Sequence, residues 1–478
     1  MKRLLFAAIA ILMVSPAFAA IQDVKVSGDI TSTYLNRNDF DLGLDVDGVP
    51  VGLKQQSVFL TQTRLRVDAD LTDHVSTTVG LINERAWNGE NGDSGAYDTN
   101  VQLYLASITL RELLYSPLTV TVGRQVFNYG NGLILGDGGA VNQGTGNLQN
   151  IAQDLTLRTA YDGVKAILDY KPLTIDLIYF KNGQTSGSIQ GLYSQNGANS
   201  DVYGINANYQ LSDPYNTVLE TYLFTRVNGN AIVPQGPVVS GVTTPADKGD
   251  TLYVPGLRAS TNPVKGLNVQ GELAWQLGNH PVTVGTDQEA EHRDAMAVQV
   301  LATYSLPVLD KYKPSVNASY TYVSGDKNGA VNYGSDAAKS AKYYSAWDEF
   351  NTIQGAGTIY RAIFPLSNEN IIALGASVSP LQDVTAAVTW SGLWAADPYG
   401  TQNPLAIYQP DGGTTTISPA TKHDAYGLGN ETDINLTYNY TEDVTFGVNL
   451  GWYVPGSVLS SVNRNTASQA IANLAVKF

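Results

Sequence analysis

The sequence predicts an all-β fold, a transmembrane antiparallel β-barrel of about 18 strands. Three observations predict it. Apolar and polar side chains alternate along many short segments, no run of eighteen apolar residues follows the N-terminal segment, and only 15 % of the 478 residues are charged, beside 46 Gly and 28 Tyr. In the wall of a membrane barrel, successive side chains of each strand face lipid and the water-filled lumen in turn, so apolar and polar residues alternate with a period of two residues. A soluble β-sandwich or propeller is the competing fold, but no blade-length repeat supports a propeller.

The N-terminal segment predicts a secretory signal peptide. Lys2 and Arg3 precede an apolar run, and Ala17 to Ala19 form a small-residue cleavage signature. The apolar run is too short to cross about 30 Å of hydrocarbon. We therefore expect residues 1–19 to be removed and residues 20–478 to form one outer-membrane barrel.

Charge and residue usage argue against several classes of function. The formal net charge of -15 disfavours nucleic acid, whose phosphates need a basic partner. The chain has no Cys and only four scattered His, so it offers little for a metal site or for acid-base catalysis. Nothing resembles a phosphate-cradling loop. We expect no enzyme activity, no cofactor and no metal.

The last strand shows the alternation most clearly. Ala470, Ala472, Leu474, Val476 and the terminal Phe478 share one face of the segment SQAIANLAVKF. A hydrophobic edge strand at a chain end invites aggregation unless closure of a barrel pairs it. The pattern resembles the assembly signal of bacterial outer-membrane proteins, so we expect the barrel assembly machinery to recognise the strand that ends at Phe478.

Similar alternating runs along the chain predict eighteen strands. They lie near residues 22–36, 55–71, 75–86, 100–112, 118–126, 158–170, 173–181, 201–211, 216–227, 250–260, 267–278, 293–305, 314–324, 369–379, 383–396, 429–440, 443–454 and 468–478. Short turns interleave with nine long polar loops, around residues 37–54, 87–99, 127–157, 182–200, 228–249, 279–292, 325–368, 397–428 and 455–467. Bacterial barrels have short periplasmic turns, long outer loops and an even number of strands.

The glycine-rich loop at residues 127–157 is longer than a hairpin requires, and such loops are usually functional or disordered. It carries many apolar residues and almost no charge. We expect it to fold into or over the mouth of a pore. The alternative is a mobile surface loop.

The apolar face fixes which polar side chains point into the lumen. Phe59, Leu65 and Val67 face lipid, so Arg64 and Arg66 face inward. The same parity turns four further cations inward: Lys165, Arg226, Arg258 and Arg293. Arginine suits a carboxylate cargo because its planar fork donates two parallel hydrogen bonds. The alternative is that these cations pair with neighbouring acids and only satisfy a polar interior.

Three segments resemble the alginate-export family of outer-membrane porins. They are Gly123-Arg124-Gln125 followed by Tyr129-Gly130, the stretch from Trp347 to Ala376, and LGNETDINLTYNY with GVNLGWYVPG between Gly427 and Gly456. The resemblance implies an eighteen-stranded barrel whose Arg-lined, electropositive constriction passes an acidic polysaccharide. By motif it implies Arg124 as a pore residue, with Glu431 and Asp433 as lumen partners.

Parity conflicts with this resemblance at Arg124. Val120 and Val122 face lipid, so simple alternation turns Arg124 outward unless a bulge or the start of the loop reverses it. A charge at mid-membrane would cost about 2 to 4 kcal/mol.

Together these observations predict a bacterial outer-membrane channel that passes hydrophilic, anionic or saccharide-like solutes by passive diffusion. Its partners would be membrane lipids, lipopolysaccharide and small solutes or an acidic polysaccharide. Two alternatives stay open: a general diffusion porin without cargo preference, and a surface adhesin or structural barrel.

Overall fold

The computed structural model describes residues 23–43, 45–46, 49–50, 54–87, 101–136, 152–183, 199–228, 249–284, 287–326, 343–350, 357–399, 405–408, 414–417, 425–459 and 464–478. The predicted signal peptide and parts of the predicted long loops lie outside these residues.

Eighteen strands build the wall, and we number them β1 to β18 in chain order. They are Asp23–Asn38, Gln55–Thr72, Val75–Ala86, Gln102–Leu110, Leu118–Gln125, Tyr161–Asp169, Leu173–Gly183, Asn199–Gln210, Val218–Asn228, Asp250–Val264, Leu267–Val284, Asp287–Ser305, Ser315–Val323, Glu369–Leu381, Val384–Ala395, Gly427–Asn439, Val444–Pro455 and Ala467–Lys477. The predicted fold class and strand number are confirmed.

The sheet closes on itself. Each wall strand pairs antiparallel with the next one along the chain, and β1 closes the barrel by pairing with β18 from Asp29 opposite Lys477 to Asn38 opposite Ser468. Closure leaves no unpaired edge, which a membrane-spanning sheet requires. Among the described residues, no helix is long and apolar enough to span a membrane.

Alternation along each strand separates an outer face from a lumen face. On β17, Phe446, Val448 and Trp452 are exposed on the outside, whereas Tyr453 is fully buried on the inside. Successive side chains of a strand point to opposite faces, so the apolar half of the pattern covers the lipid surface. This is why the sequence pattern locates nearly every strand.

The predicted loop at residues 279–292 is wrong, because β11 and β12 continue through most of it. Their ladder runs without interruption to Val284 opposite Asp287. Val282, Thr283 and Val284 are strand-favouring residues, which explains the extension. Polar neighbours such as Glu289 and Glu291 conceal it in the sequence.

The loops carry a few short elements of their own. They are one helical turn at Tyr360–Ile363, 3-10 turns at Gln153–Leu155 and Asp310–Tyr312, the short strands Asp45–Val46 with Val49–Pro50 and Leu405–Tyr408 with Thr414–Ile417, and Tyr343–Tyr344, which pairs parallel with β12. Apolar loop residues pack inside the loop-side half of the barrel against inward wall side chains such as Phe180 and Phe224. Loop and wall residues together thus form a hydrophobic cluster inside that half.

Candidate functional site

Two loop segments enter the lumen. We call residues 126–136 the first inner loop, and residues 343–350 with 357–368 the second inner loop. Phe127 and Leu135 of the first and Trp347 and Ile363 of the second are buried almost completely. Because they pack against inward wall residues, both segments lie inside the barrel. The described part of the 127–157 loop thus lies where its apolar composition predicts.

Wall residues hold the first inner loop by polar contacts. The Tyr129 hydroxyl donates to Asp176 Oδ2 at 3.0 Å, and Asn131 Nδ2 donates to Gln270 Oε1 at 2.8 Å. Lys165 Nζ lies 3.6 Å from the same Asp176 carboxylate and 5.2 Å from the Tyr129 ring centroid. Lys165 therefore faces the lumen, as parity predicts, and contacts the loop.

Arg258 joins this arrangement with both of its terminal guanidinium nitrogens engaged. It donates to Glu220 Oε2 at 3.0 Å, to Gln270 Oε1 at 2.7 Å and to Asn131 Oδ1 at 3.3 Å. Gly130 passes over it with φ +55°, and a methyl group on Gly130 would stand 3.1 Å from Arg258 Cδ. Only glycine adopts this backbone conformation at no steric cost. Arg258 thus lies on the lumen side and anchors the loop.

Two further predicted arginines converge on the second inner loop. Arg226 on β9 donates to Asp348 Oδ2 at 2.7 Å, and Nη1 of Arg293 on β12 forms an ion pair with the same oxygen at 2.9 Å. Arg293 also donates to Asp250 Oδ1 at 2.7 Å, and its side chain is only 1 % exposed. Burial opposes ionisation of Asp348, but the two guanidiniums outweigh it and hold the pKa of its carboxyl below the usual range. These arginines fasten the loop to the wall.

Glu431 and Asp433, suggested by the resemblance, hold the other end of the second inner loop. The fully buried Glu431 carboxylate accepts hydrogen bonds from the backbone N–H groups of Thr358, Ile359 and Tyr360, at 2.6, 2.7 and 2.6 Å. Thr358 Oγ1 donates to Asp433 Oδ1 at 2.6 Å. Both acids face inward and bind the chain where the helical turn begins.

Gly357 makes this contact possible. It adopts φ +59°, and a methyl group there would collide with the Glu431 carboxylate. The hydroxyl of Tyr360 contacts the buried Glu369 at the start of β14. Wall acids from β14 and β16 thus hold one short stretch of loop.

Arg64 and Arg66 occupy a different environment, towards the turn-side half of the lumen. Arg64 Nε contacts both oxygens of Asp29 at 3.1 and 2.9 Å, and Arg66 makes a two-bond contact with Asp68 at 2.7 and 2.9 Å. Their side chains are 33 % and 47 % exposed. Within the described part of the chain, the terminal nitrogens of Arg64 and one of those of Arg66 have no partner, so these arginines keep donors that face water.

Arg124 does not join the lumen group. It lies directly opposite Asp162 across β5 and β6 and donates to it at 3.0 Å. Asp162 alternates with the buried, inward-facing Tyr161 and is 67 % exposed on the outer face. The orientation that parity indicates therefore holds, and the motif-based assignment as a pore residue gains no support from the geometry.

A third set of inward contacts, near residues 152–158, is not predicted from the sequence. Arg37 on β1 is fully buried, donates to Gln469 Oε1 at 2.7 Å and pairs with Asp154. Glu84 on β3 accepts from Thr156 Oγ1 at 2.6 Å and from the Leu157 N–H at 2.7 Å. The predicted first strand ends near residue 36, whereas β1 continues to Asn38. With the longer strand, the alternation of side chains would have placed Arg37 on the lumen face, but no pattern in the sequence indicates its loop partner Asp154.

Comparison with known proteins agrees with this architecture. The chain is similar to the outer membrane protein OccK1 (OpdK) of Pseudomonas aeruginosa, with a TM-score of 0.55 and 11 % identity, over 96 % of this chain and 99 % of that one. It is equally similar to OccAB1 of Acinetobacter baumannii, with a TM-score of 0.55 and 11 % identity over 97 % and 98 %. OccK2 (OpdF) of Pseudomonas aeruginosa, solved in complex with glucuronate, gives 0.53 and 12 % over 96 % and 99 %. No curated protein sequence matches.

At such low identity these likenesses show the fold. The sequence itself matches the family model described as alginate export over residues 24–473, nearly the whole chain. The chain is therefore a bacterial outer-membrane channel rather than an enzyme, and it belongs to the alginate-export family.

Proposed function

We propose that this channel passes hydrophilic solutes that carry carboxylates, such as acidic sugars, by passive diffusion, and that Arg64 and Arg66 set the preference. One observation carries the proposal: among the arginines that point inward from the described wall strands, these two are the most exposed and keep guanidinium nitrogens that face water. A passing carboxylate replaces part of its hydration shell with such donors, and charge-assisted hydrogen bonds of this kind are the stronger ones.

The spacing of the two residues supports the same role. Arg64 and Arg66 are two positions apart on β2, so both point to the lumen about 7 Å from each other along the strand. Tyr104 on β4 lies close enough to both to interact with their charges. A sugar acid passing this wall meets two guanidinium forks beside an aromatic ring.

The comparisons support an acidic cargo by chemistry alone. The family is described by the export of alginate, and OccK2 (OpdF) was solved with glucuronate. Alginate and glucuronate are both built on uronic acids, which combine a carboxylate with a sugar ring. The two exposed lumen arginines fit that combination.

A general diffusion porin is the second candidate, and a specific observation favours it. Asp29 and Asp68 already pair with Arg64 and Arg66, so the charge of this part of the lumen is nearly balanced. A balanced lining accepts hydrated solutes of either sign. The carboxylate-selective channel should be blocked by anionic solutes at lower concentrations than by neutral solutes of equal size, whereas the general porin should be blocked by both at the same concentration.

Planar-bilayer recording separates them. We expect short uronate oligomers to interrupt the current at concentrations at least about tenfold lower than neutral oligosaccharides of equal length, because the neutral sugars lack charge-assisted hydrogen bonds. Replacing both lumen arginines in R64Q/R66Q should remove this difference, whereas R124Q, which removes a guanidinium from the outer face, should keep it. Equal block by both solutes would establish the general porin, and absence of conductance would favour the adhesin.

A further inference from the structure

Four charged residues form one continuous row on the outer face of the barrel. Arg124, Asp162, Lys181 and Asp201 lie directly opposite one another across β5, β6, β7 and β8. Their charges alternate along the row. We call these four residues the outer charged row.

The row faces away from the lumen. Its members alternate along their strands with Tyr161, Phe180 and Val202, which are buried inside the barrel. Asp162 is 67 % exposed and Lys181 is 48 % exposed. The row is therefore open to the surroundings of the barrel.

The outer charged row is the layer nearest the loops in a series of outward-facing residue layers on the barrel wall. Each member lies within three residues of the loop-side end of its strand. Two residues nearer the turns along each strand, the next outward-facing row of paired residues consists of Val122, Val164, Tyr179 and Tyr203. A further two residues along, the outward-facing row consists of Val120, Ala166, Leu177 and Ile205. The rings of Tyr179 and Tyr203 lie 5.1 Å apart. Apolar, aromatic and charged layers follow one another, as at the edge of a bilayer.

This order places the charges at the lipid headgroups. A cation facing the bilayer midplane costs about 2 to 4 kcal/mol, whereas near the interface it costs about 0 to 1 kcal/mol. The loop side of such barrels faces outward. The headgroups at this edge are those of the outer leaflet, where the lipid A part of lipopolysaccharide carries phosphates bridged by divalent cations.

The stability of the fold does not explain the row. Arg124 donates to Asp162 at 3.0 Å and Lys181 pairs with Asp201, but exposed ion pairs contribute only about 0 to 1 kcal/mol. Among the described residues, the other terminal nitrogen of Arg124 has no partner. The Tyr179 hydroxyl donates to Asp201 Oδ1 at 3.0 Å and holds that carboxylate beside the aromatic layer.

We propose that the outer charged row is a binding site for lipid A. Arg124 and Lys181 bind its phosphates, because guanidinium and ammonium groups form strong charge-assisted hydrogen bonds with phosphate oxygens. Asp162 and Asp201 supply oxygen ligands to the divalent cation that bridges neighbouring phosphates. Tyr179 and Tyr203 lie beneath the headgroup, and the apolar row contacts the acyl chains. This site is independent of the solute that the pore passes.

Native mass spectrometry of the purified barrel with added lipids and Mg²⁺ tests the proposal. We expect bis-phosphorylated lipid A to bind, while lipid A stripped of its phosphates, phosphatidylglycerol and inorganic phosphate bind at least about tenfold more weakly. In R124Q/K181Q the affinity for lipid A should fall by about tenfold or more, since each cation near an anionic headgroup contributes measurably. In D162N/D201N the part of the binding that requires Mg²⁺ should be lost.

A matched variant controls for charge. R111Q/K171Q removes one arginine and one lysine from exposed turn-side positions, and it should bind lipid A like the unaltered chain. Heat-dependent electrophoretic mobility verifies that every variant forms a closed barrel. Unchanged affinity in R124Q/K181Q would overturn the proposal. Equal binding of dephosphorylated lipid A or of phosphatidylglycerol would also overturn it.

Discussion

The carboxylate of Glu431 accepts a 2.6 Å hydrogen bond from the backbone N–H of Tyr360. Two further N–H donors, from Thr358 and Ile359, meet the same carboxylate, so a single buried side chain of β16 fixes the start of the helical turn in the second inner loop. If this loop narrows the pore, the contact also sets how wide the pore is.

Glu431→Gln should therefore widen or destabilise the channel. The amide nitrogen of glutamine cannot accept a hydrogen bond, so at least one buried N–H loses its acceptor, at a cost of about 1 to 3 kcal/mol. We expect higher and noisier single-channel conductance in planar bilayers. Glu442→Gln makes the same change in the exposed turn between β16 and β17 and should leave the trace unaltered. Identical conductance in both variants would show that the second inner loop does not restrict flow.

Gly130→Ala tests the first inner loop. Gly130 adopts φ +55° and a methyl group would stand 3.1 Å from Arg258, so alanine adds about 1 to 2 kcal/mol of backbone strain and presses on that anchor. Conductance should rise and the unfolding temperature in detergent should fall. Gly271→Ala is the matched control, because nothing lies within 4 Å of a methyl group on that wall glycine. Equal behaviour of the two variants would place the first inner loop outside the conducting path.

Asp348→Asn should lower stability more than an exposed acid does. Asp348 is the shared partner of Arg226 and Arg293. Asparagine removes the carboxylate that pairs with the largely buried Arg226 and leaves Arg293 with Asp250 alone, at a cost of about 3 kcal/mol. Asp169→Asn, which breaks an exposed pair with Lys171, should cost less than about 1 kcal/mol. Denaturant unfolding in detergent measures both. A small loss for Asp348→Asn would mean that the loop is not held by this carboxylate.

Glu349 predicts a pH-dependent loop. Burial, together with the negative charge of Asp348, raises the pKa of its carboxyl to about 7. A raised pKa means that the docked loop binds the proton more tightly than the released loop does. The resulting stability is complete below pH 4.5 and is lost as the pH rises through about 7. Conductance should therefore increase between pH 5 and pH 8, and Glu349→Gln should remove the increase. A pH-independent wild-type trace would contradict this.

The sequence locates the wall well because lipid and water impose a strict period of two. That period also turns Arg64, Arg226, Arg258, Glu431 and Asp433 to the lumen, where the structure has them. Their loop partners could not be predicted, because Asp348, Asn131 and the amide groups near Thr358 belong to segments whose path depends on tertiary packing. For Arg124, the alternation along the strand indicates an outward side chain, as in the structure, whereas the family motif implies a pore residue.

The reversal potential in a salt gradient measures directly whether Arg64 and Arg66 set the ion preference of the lumen. We expect the unaltered channel to prefer anions and R64E/R66E to shift the reversal potential towards cations, because the two most exposed arginines of the lumen wall become acids. R124E should keep the original value, since that residue faces outward. A reversal potential that R64E/R66E leaves unchanged would contradict the account and would remove Arg64 and Arg66 from the conducting path.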